Sequence, residues 1–293
     1  MAASPNFPKL PDDWVEEIVR EDGLTMRVWF HPKSAALPAL YLVHGYGEQS
    51  GRYLHFPHYL RSACGTIAAI DLPGHGLSDG RRGHCENFNE FPAAALKGFA
   101  MFKAWLARRG LNETALHWMG HSFGGLTTLA VMRDSPPADV RSWIVSAPEL
   151  ALSMPVPKIK KFFGELIEPI LPRLQLHNEI NGASLSKDPS VGEEYVRDPL
   201  NHSSITPRMF KQMNIGMDTV SAWSGPLPGR TLFIVPLNDH VVDGMKTFRF
   251  VQNLKAGPEL RLQTLPGVCH ESFNDWERGP VFNLIENHLT ASK

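Results

Sequence analysis

Two stretches of the chain fit the pattern G-x-S-x-G: GHSFGG at 120–125 and GLSDG at 76–80. In that pattern a serine hydroxyl can attack a carbonyl, provided that a strand delivers it, small neighbours allow a sharp turn, and a helix begins at once. ALHWM, GHSFGG and LTTLAVMRD follow one another and supply these parts in order, with Gly120 and Gly124 removing side chains that would collide. GLSDGRRGH follows its strand only after the turn DLPGHG, and no helix pattern succeeds it, so Ser78 reads as a loop residue. Ser122 is therefore the expected nucleophile. The new helix would give it the positive end of a dipole and the free amide of Phe123 to face a developing oxyanion.

A serine hydroxyl needs a base, and the base needs an acid, in the chain order serine, acid, histidine. TLFIVPLNDHVVDG places Asp239 in the loop after one strand, and LRLQTLPGVCHESF places His270 after the last. Asp243 competes for the acid role but lies deeper in the polar stretch that leads into the next helix. Of 13 histidines, His270 is singled out by its position alone. The second oxyanion donor is expected from LYLVHGYGEQSGRY, where Gly45 lets the turn bring the Tyr46 amide toward that of Phe123.

These residues must be held by a framework, and apolar runs alternate with helical patterns along the chain. Strands are predicted at 24–30, 39–43, 65–70, 115–119, 142–146, 231–235 and 260–265, and helices at 90–109, 124–134, 245–254 and 280–290. Several strands are almost wholly apolar, as strands buried on both faces are. The alternation predicts an α/β fold with a mostly parallel sheet flanked by helices. From 148 to 226 no strand is evident. This stretch is expected to be a helical cap inserted after the fifth or sixth strand, between core segments 1–147 and 227–293. In KIKKFFGELIEPILPRL, Phe162, Phe163, Leu166 and Ile170 recur at helical spacing. They read as a cap face packed on the main domain and suited to an acyl chain. Lipid-surface contact is the alternative, and the two are compatible.

Composition sets the outer limits. A chain of 293 residues with 43% hydrophobic content can fill a sizeable core, and a net charge of −1 gives no general attraction to nucleic acid. Cys64, Cys85 and Cys269 are widely spaced, which indicates neither a disulfide framework nor a zinc site and suggests a reducing compartment. The N-terminal stretch MAASPNFPKLPDDW has prolines and acids where a signal peptide needs an apolar run, and no later segment approaches the roughly 20 apolar residues of a membrane span. A soluble cytoplasmic protein is expected, with peripheral membrane contact through the cap as an option.

HGYGEQSGRY, DLPGHGLSDG, GHSFGG, the loop of Asp239 and the late His270 together resemble the α/β-hydrolases of the monoacylglycerol lipase and lysophospholipase group, over residues 37–289. The resemblance implies a Ser122–His270–Asp239 triad, oxyanion donors at Tyr46 and Phe123, no cofactor, no metal, and a small lipid-like ester as substrate. It also implies that Glu48 and Arg52 help hold the glycerol end. From the residues alone, the same pair reads as a salt bridge bracing the loop. Members of the group commonly carry histidine where Gln49 and Phe273 stand here. A small-ester carboxylesterase, a cap-bearing serine peptidase and a non-catalytic receptor on the same fold are the alternatives.

Overall fold

The computed structural model describes residues 7–33, 37–112, 114–153, 167–178, 182–255 and 259–291. The strands are β1 (Val15–Glu21), β2 (Leu24–Phe30), β3 (Ala39–Val43), β4 (Thr66–Asp71), β5 (Leu116–His121), β6 (Val140–Ser146), β7 (Leu176–His177), β8 (Ser204–Ile205), β9 (Arg230–Pro236) and β10 (Leu260–Leu265). The helices, in chain order, are α1 (Phe56–Leu60), α2 (Glu90–Ala107), α3 (Phe123–Asp134), α4 (Pro189–Arg197), α5 (Pro207–Ser221), α6 (Gly244–Asn253) and α7 (Arg278–Thr290). Eight strands form one sheet in the order β1-β2-β4-β3-β5-β6-β9-β10. From β4 through β10 all neighbours are parallel, while β1 and β2 pair antiparallel at one edge. This is the mostly parallel, helix-flanked α/β architecture expected from the sequence.

Alternation along each strand divides the core in two. On β3, Ala39, Tyr41 and Val43 face a cluster with α2, α3, α5 and α6, whereas Leu40 and Leu42 face a second cluster with α1 and α7. Every residue of β3, β4 and β5 is buried, which explains why these strands read as continuous apolar runs. The sequence pattern missed β1. Its VEEIVRE lies on the sheet edge with most side chains exposed, so no buried face marks it.

The segment between β6 and β9 carries α4, α5 and a short antiparallel pair, β7 with β8. That pair corrects the expectation of a strand-free stretch. Two residues per strand are too short to produce a period-2 signal. Residues 154–166, including Phe162, Phe163 and Leu166, lie outside the described residues. Ile170 is described and is 75% exposed.

Candidate active site

Local chain geometry builds the serine. β5 ends at His121, α3 begins at Phe123, and Ser122 between them adopts φ 55° and ψ −120°. A side chain in that region costs of order 1–3 kcal/mol and persists only where its surroundings enforce it. Here Ser122 N–H donates to Ser146 O at 3.0 Å, and Ser122 O accepts from Leu126 N–H and Glu149 N–H, both at 3.0 Å. The elbow also lies tight against the end of β3, since a Cβ on Gly124 would stand 2.2 Å from Val43 O.

Ser122 Oγ lies 2.9 Å from His270 Nε2, and His270 Nδ1 lies 2.7 Å from Asp239 Oδ2. All three side chains are buried. The carboxylate can only accept, so the proton sits on Nδ1, leaving Nε2 to accept from the serine hydroxyl. The other oxygen of Asp239 accepts from the amides of Val241 (2.8 Å) and Val242 (2.9 Å), which holds the carboxylate still. Burial opposes a charge on His270. The Asp239 charge and hydrogen bond, helped by Glu271 and Glu48, outweigh it and hold the imidazole pKa above the ordinary histidine value. The His121 ring lies against His270, tilted by 47°, with ring centroids 4.8 Å apart. Burial, then the His270 charge, push its own pKa well down, so it stays neutral.

Asp243 is placed elsewhere. Its carboxylate accepts from Lys246 N–H at 3.0 Å and caps α6. Ser78 is also structural, accepting from Thr25 N–H at 2.8 Å and donating to Asp71 O at 2.5 Å.

The loop after β3 comes close to the serine: a Cβ on Gly45 would stand 3.1 Å from the Ser122 Cβ. His44 Nε2 accepts from Leu72 N–H at 3.0 Å, so its Nδ1–H donates to Gly45 O at 2.7 Å, fixing the bend. The rings of Tyr46 and Phe123 pack edge to face at 5.8 Å. As the first residue of α3, Phe123 has an amide that no helical carbonyl can receive.

Glu48 and Arg52 are engaged inside the protein. Glu48 Oε1 accepts from Gly45 N–H (2.6 Å) and Tyr53 O–H (2.8 Å), and Oε2 takes Arg52 Nε at 2.9 Å. Arg52 then reaches Glu271 at 2.5 Å and lies over the Tyr195 ring. Burial would lower the Arg52 pKa, but Glu271 and Glu48 reverse this and raise it. The pair thus ties the loop of Tyr46 to the loop of His270. Gln49 donates to Asp198 at 2.9 Å, and Phe273 packs on His121, Tyr53 and Phe56. Phe273 brings no polar group to its position, and the amide of Gln49 is turned toward Asp198. Glu271, Tyr195 and Glu149 were not singled out from the sequence, because no local motif surrounds them.

A strained serine on a strand–helix elbow, a buried imidazole and a buried carboxylate on an eight-stranded sheet define a serine hydrolase of the α/β-hydrolase fold. The chain belongs to the Hydrolase_4 family, described as serine aminopeptidase, S33, whose model matches residues 34–277. It is 26% identical over 90% of its length to an uncharacterised abhydrolase domain-containing protein of Dictyostelium discoideum, of which the match spans only 27%. It is 23% identical to the phospholipase YtpA of Bacillus subtilis, covering 87% of this chain and 96% of that protein. It is 25% identical to a monoacylglycerol lipase of Mycolicibacterium smegmatis, covering 85% and 87%. Among solved structures, the monoacylglycerol lipase of Paleococcus ferrophilus superposes with a TM-score of 0.74 at 26% identity, covering 93% of this chain and 98% of that one.

Proposed function

We propose that this serine hydrolase cleaves carboxylic esters carrying an acyl chain, monoacylglycerols or lysophospholipid-like lipids, through an acyl-enzyme. The observation that carries this reading is the unbroken hydrogen-bonded line from Ser122 to His270 to Asp239. His270 removes the Ser122 proton as the oxygen attacks the ester carbonyl, and the amides of Tyr46 and Phe123 stabilise the tetrahedral oxyanion. Asp239 stabilises the imidazolium, which then gives its proton to the departing alcohol. Water, activated by the same imidazole, releases the acid. The relatives named as a phospholipase and a monoacylglycerol lipase support a lipid ester, and residues 148–226 act as the cap over it.

A fluorophosphonate probe tests the nucleophile: the intact chain should label and Ser122→Ala should not, and unchanged labelling of the variant removes the assignment. Acyl-chain profiling then tests the substrate. Rates rising with chain length on acylglycerols support the lipid reading. A preference for aryl acetates turns it into a small-ester carboxylesterase. The family's description as a serine aminopeptidase favours the peptidase reading, which predicts turnover of amino-acyl amides instead.

A further inference from the structure

Glu149 is a buried acid that the triad does not use. β6 ends at Ser146, and Ala147 takes φ 43°, a left-handed bend in a residue that is not glycine. The bend carries the chain back over the elbow, where Glu149 N–H donates to Ser122 O at 3.0 Å. The residue is 3% exposed, and its Oε1 is enclosed without a hydrogen-bond partner. Two groups feel its charge: the His270 imidazole, on the loop after β10, and the Tyr46 phenol, on the loop after β3. The backbone of Glu149 thus bonds the nucleophile's own carbonyl, and its side chain interacts electrostatically with one residue on each of the loops that frame the serine.

A buried polar group without a partner is uncommon in a folded protein and calls for an explanation. Burial pushes the Glu149 pKa up to about 8, with His270 pulling the other way. Around neutral pH burial therefore favours the protonated acid, with a proton to donate, over the anion. A cation is a poor match, because it would face the imidazolium that forms on His270 during reaction. A hydroxyl suits a neutral acid, since it can accept that proton. The charged and amide side chains of the Tyr46 loop are engaged elsewhere: Glu48 and Arg52 with each other and Glu271, and Gln49 with Asp198.

We propose that Glu149 is a specificity-determining residue that donates a hydrogen bond to a hydroxyl oxygen of the ester substrate; this rests on the ester-hydrolase reading above. The hydroxyl can sit on the alcohol part or on the acyl part. Two matched pairs separate these sources: a 1-monoacylglycerol against the propyl ester of the same acid, and a hydroxyacyl ester against its plain acyl counterpart.

For the wild-type chain, kcat/KM should favour the hydroxylated member of at least one pair by about tenfold, the scale of one hydrogen bond. Glu149→Gln, which keeps a donor, should retain most of that preference. Glu149→Leu should abolish it while turning over the plain esters at least as fast. The carboxyl has no partner to leave stranded, so the apolar change should not disturb the fold, and Glu149→Met serves if leucine does not fit. A preference unchanged in both apolar variants, or absent from wild type in both pairs, overturns the proposal while ester turnover leaves the hydrolase reading standing. Absence of turnover on every ester overturns that reading and this proposal together.

Discussion

Two aspartates four positions apart in one loop carry out different work. Asp239 faces His270 and is fixed by two amides, whereas Asp243 caps α6. Asp239→Asn should lower kcat by roughly 10⁴-fold, because the amide no longer orients and stabilises the imidazolium. Asp243→Ala should cost about 1 kcal/mol of stability through the lost cap and leave kcat unchanged; steady-state kinetics with urea unfolding of both variants checks this. An inactive Asp243→Ala beside an active Asp239→Asn would reverse the roles. The pH profile reports on the same pair. His270 works only when neutral, and its pKa is raised, so activity should fall as pH drops through a value above 6.5. In Asp239→Asn the acid limb should move down, since burial then acts on the imidazole with less opposition.

Elements fix the site by closing on one another at short range. The β5–α3 elbow fits only because Gly124 leaves room for the end of β3, and the two loops flanking it are joined by the chain Glu48, Arg52, Glu271. This chain of buried charges separates bracing from headgroup contact. Glu48→Gln breaks a buried ion pair, an effect of about 3–5 kcal/mol, and should reduce kcat/KM on glyceryl and simple alkyl esters by the same factor. A loss confined to glyceryl esters would mean that Glu48 holds substrate.

Across the whole molecule, the segment between β6 and β9 is stitched to the core around the site. His202 N–H donates to Gly47 O at 2.8 Å, Thr206 N–H to Gly83 O at 2.9 Å, and Glu271 N–H to Leu185 O at 2.8 Å. The Tyr46 hydroxyl adds a bond to Ser204 O at 2.7 Å. Hydrogen exchange should therefore find the amides of His202, Thr206 and Glu271 opening together, and no sooner than those of β5. Separate, faster opening of these three would show a cap that moves independently of the sheet. Among the described residues no helix is long and apolar enough to cross a membrane. Exposed Ile170, Leu171 and Leu176 lie in the same inserted segment.

The sequence by itself determined whatever depends on near neighbours in the chain. Buried parallel strands announce themselves as apolar runs, and β3 and β9 fall where those runs fall. The strand–glycine–serine–helix order likewise points to the Ser122 elbow, because its geometry is set within a few residues. Tertiary structure alone decided what depends on distant partners. Along the chain only loop position separates Asp239 from Asp243, and folding is what puts Asp239 against an imidazole 31 residues away. Arg52 meets Glu271 across 219 residues, and Glu149, which no local pattern marks, ends up 3% exposed. Burial and long-range pairing arise from packing, which periodicity cannot encode.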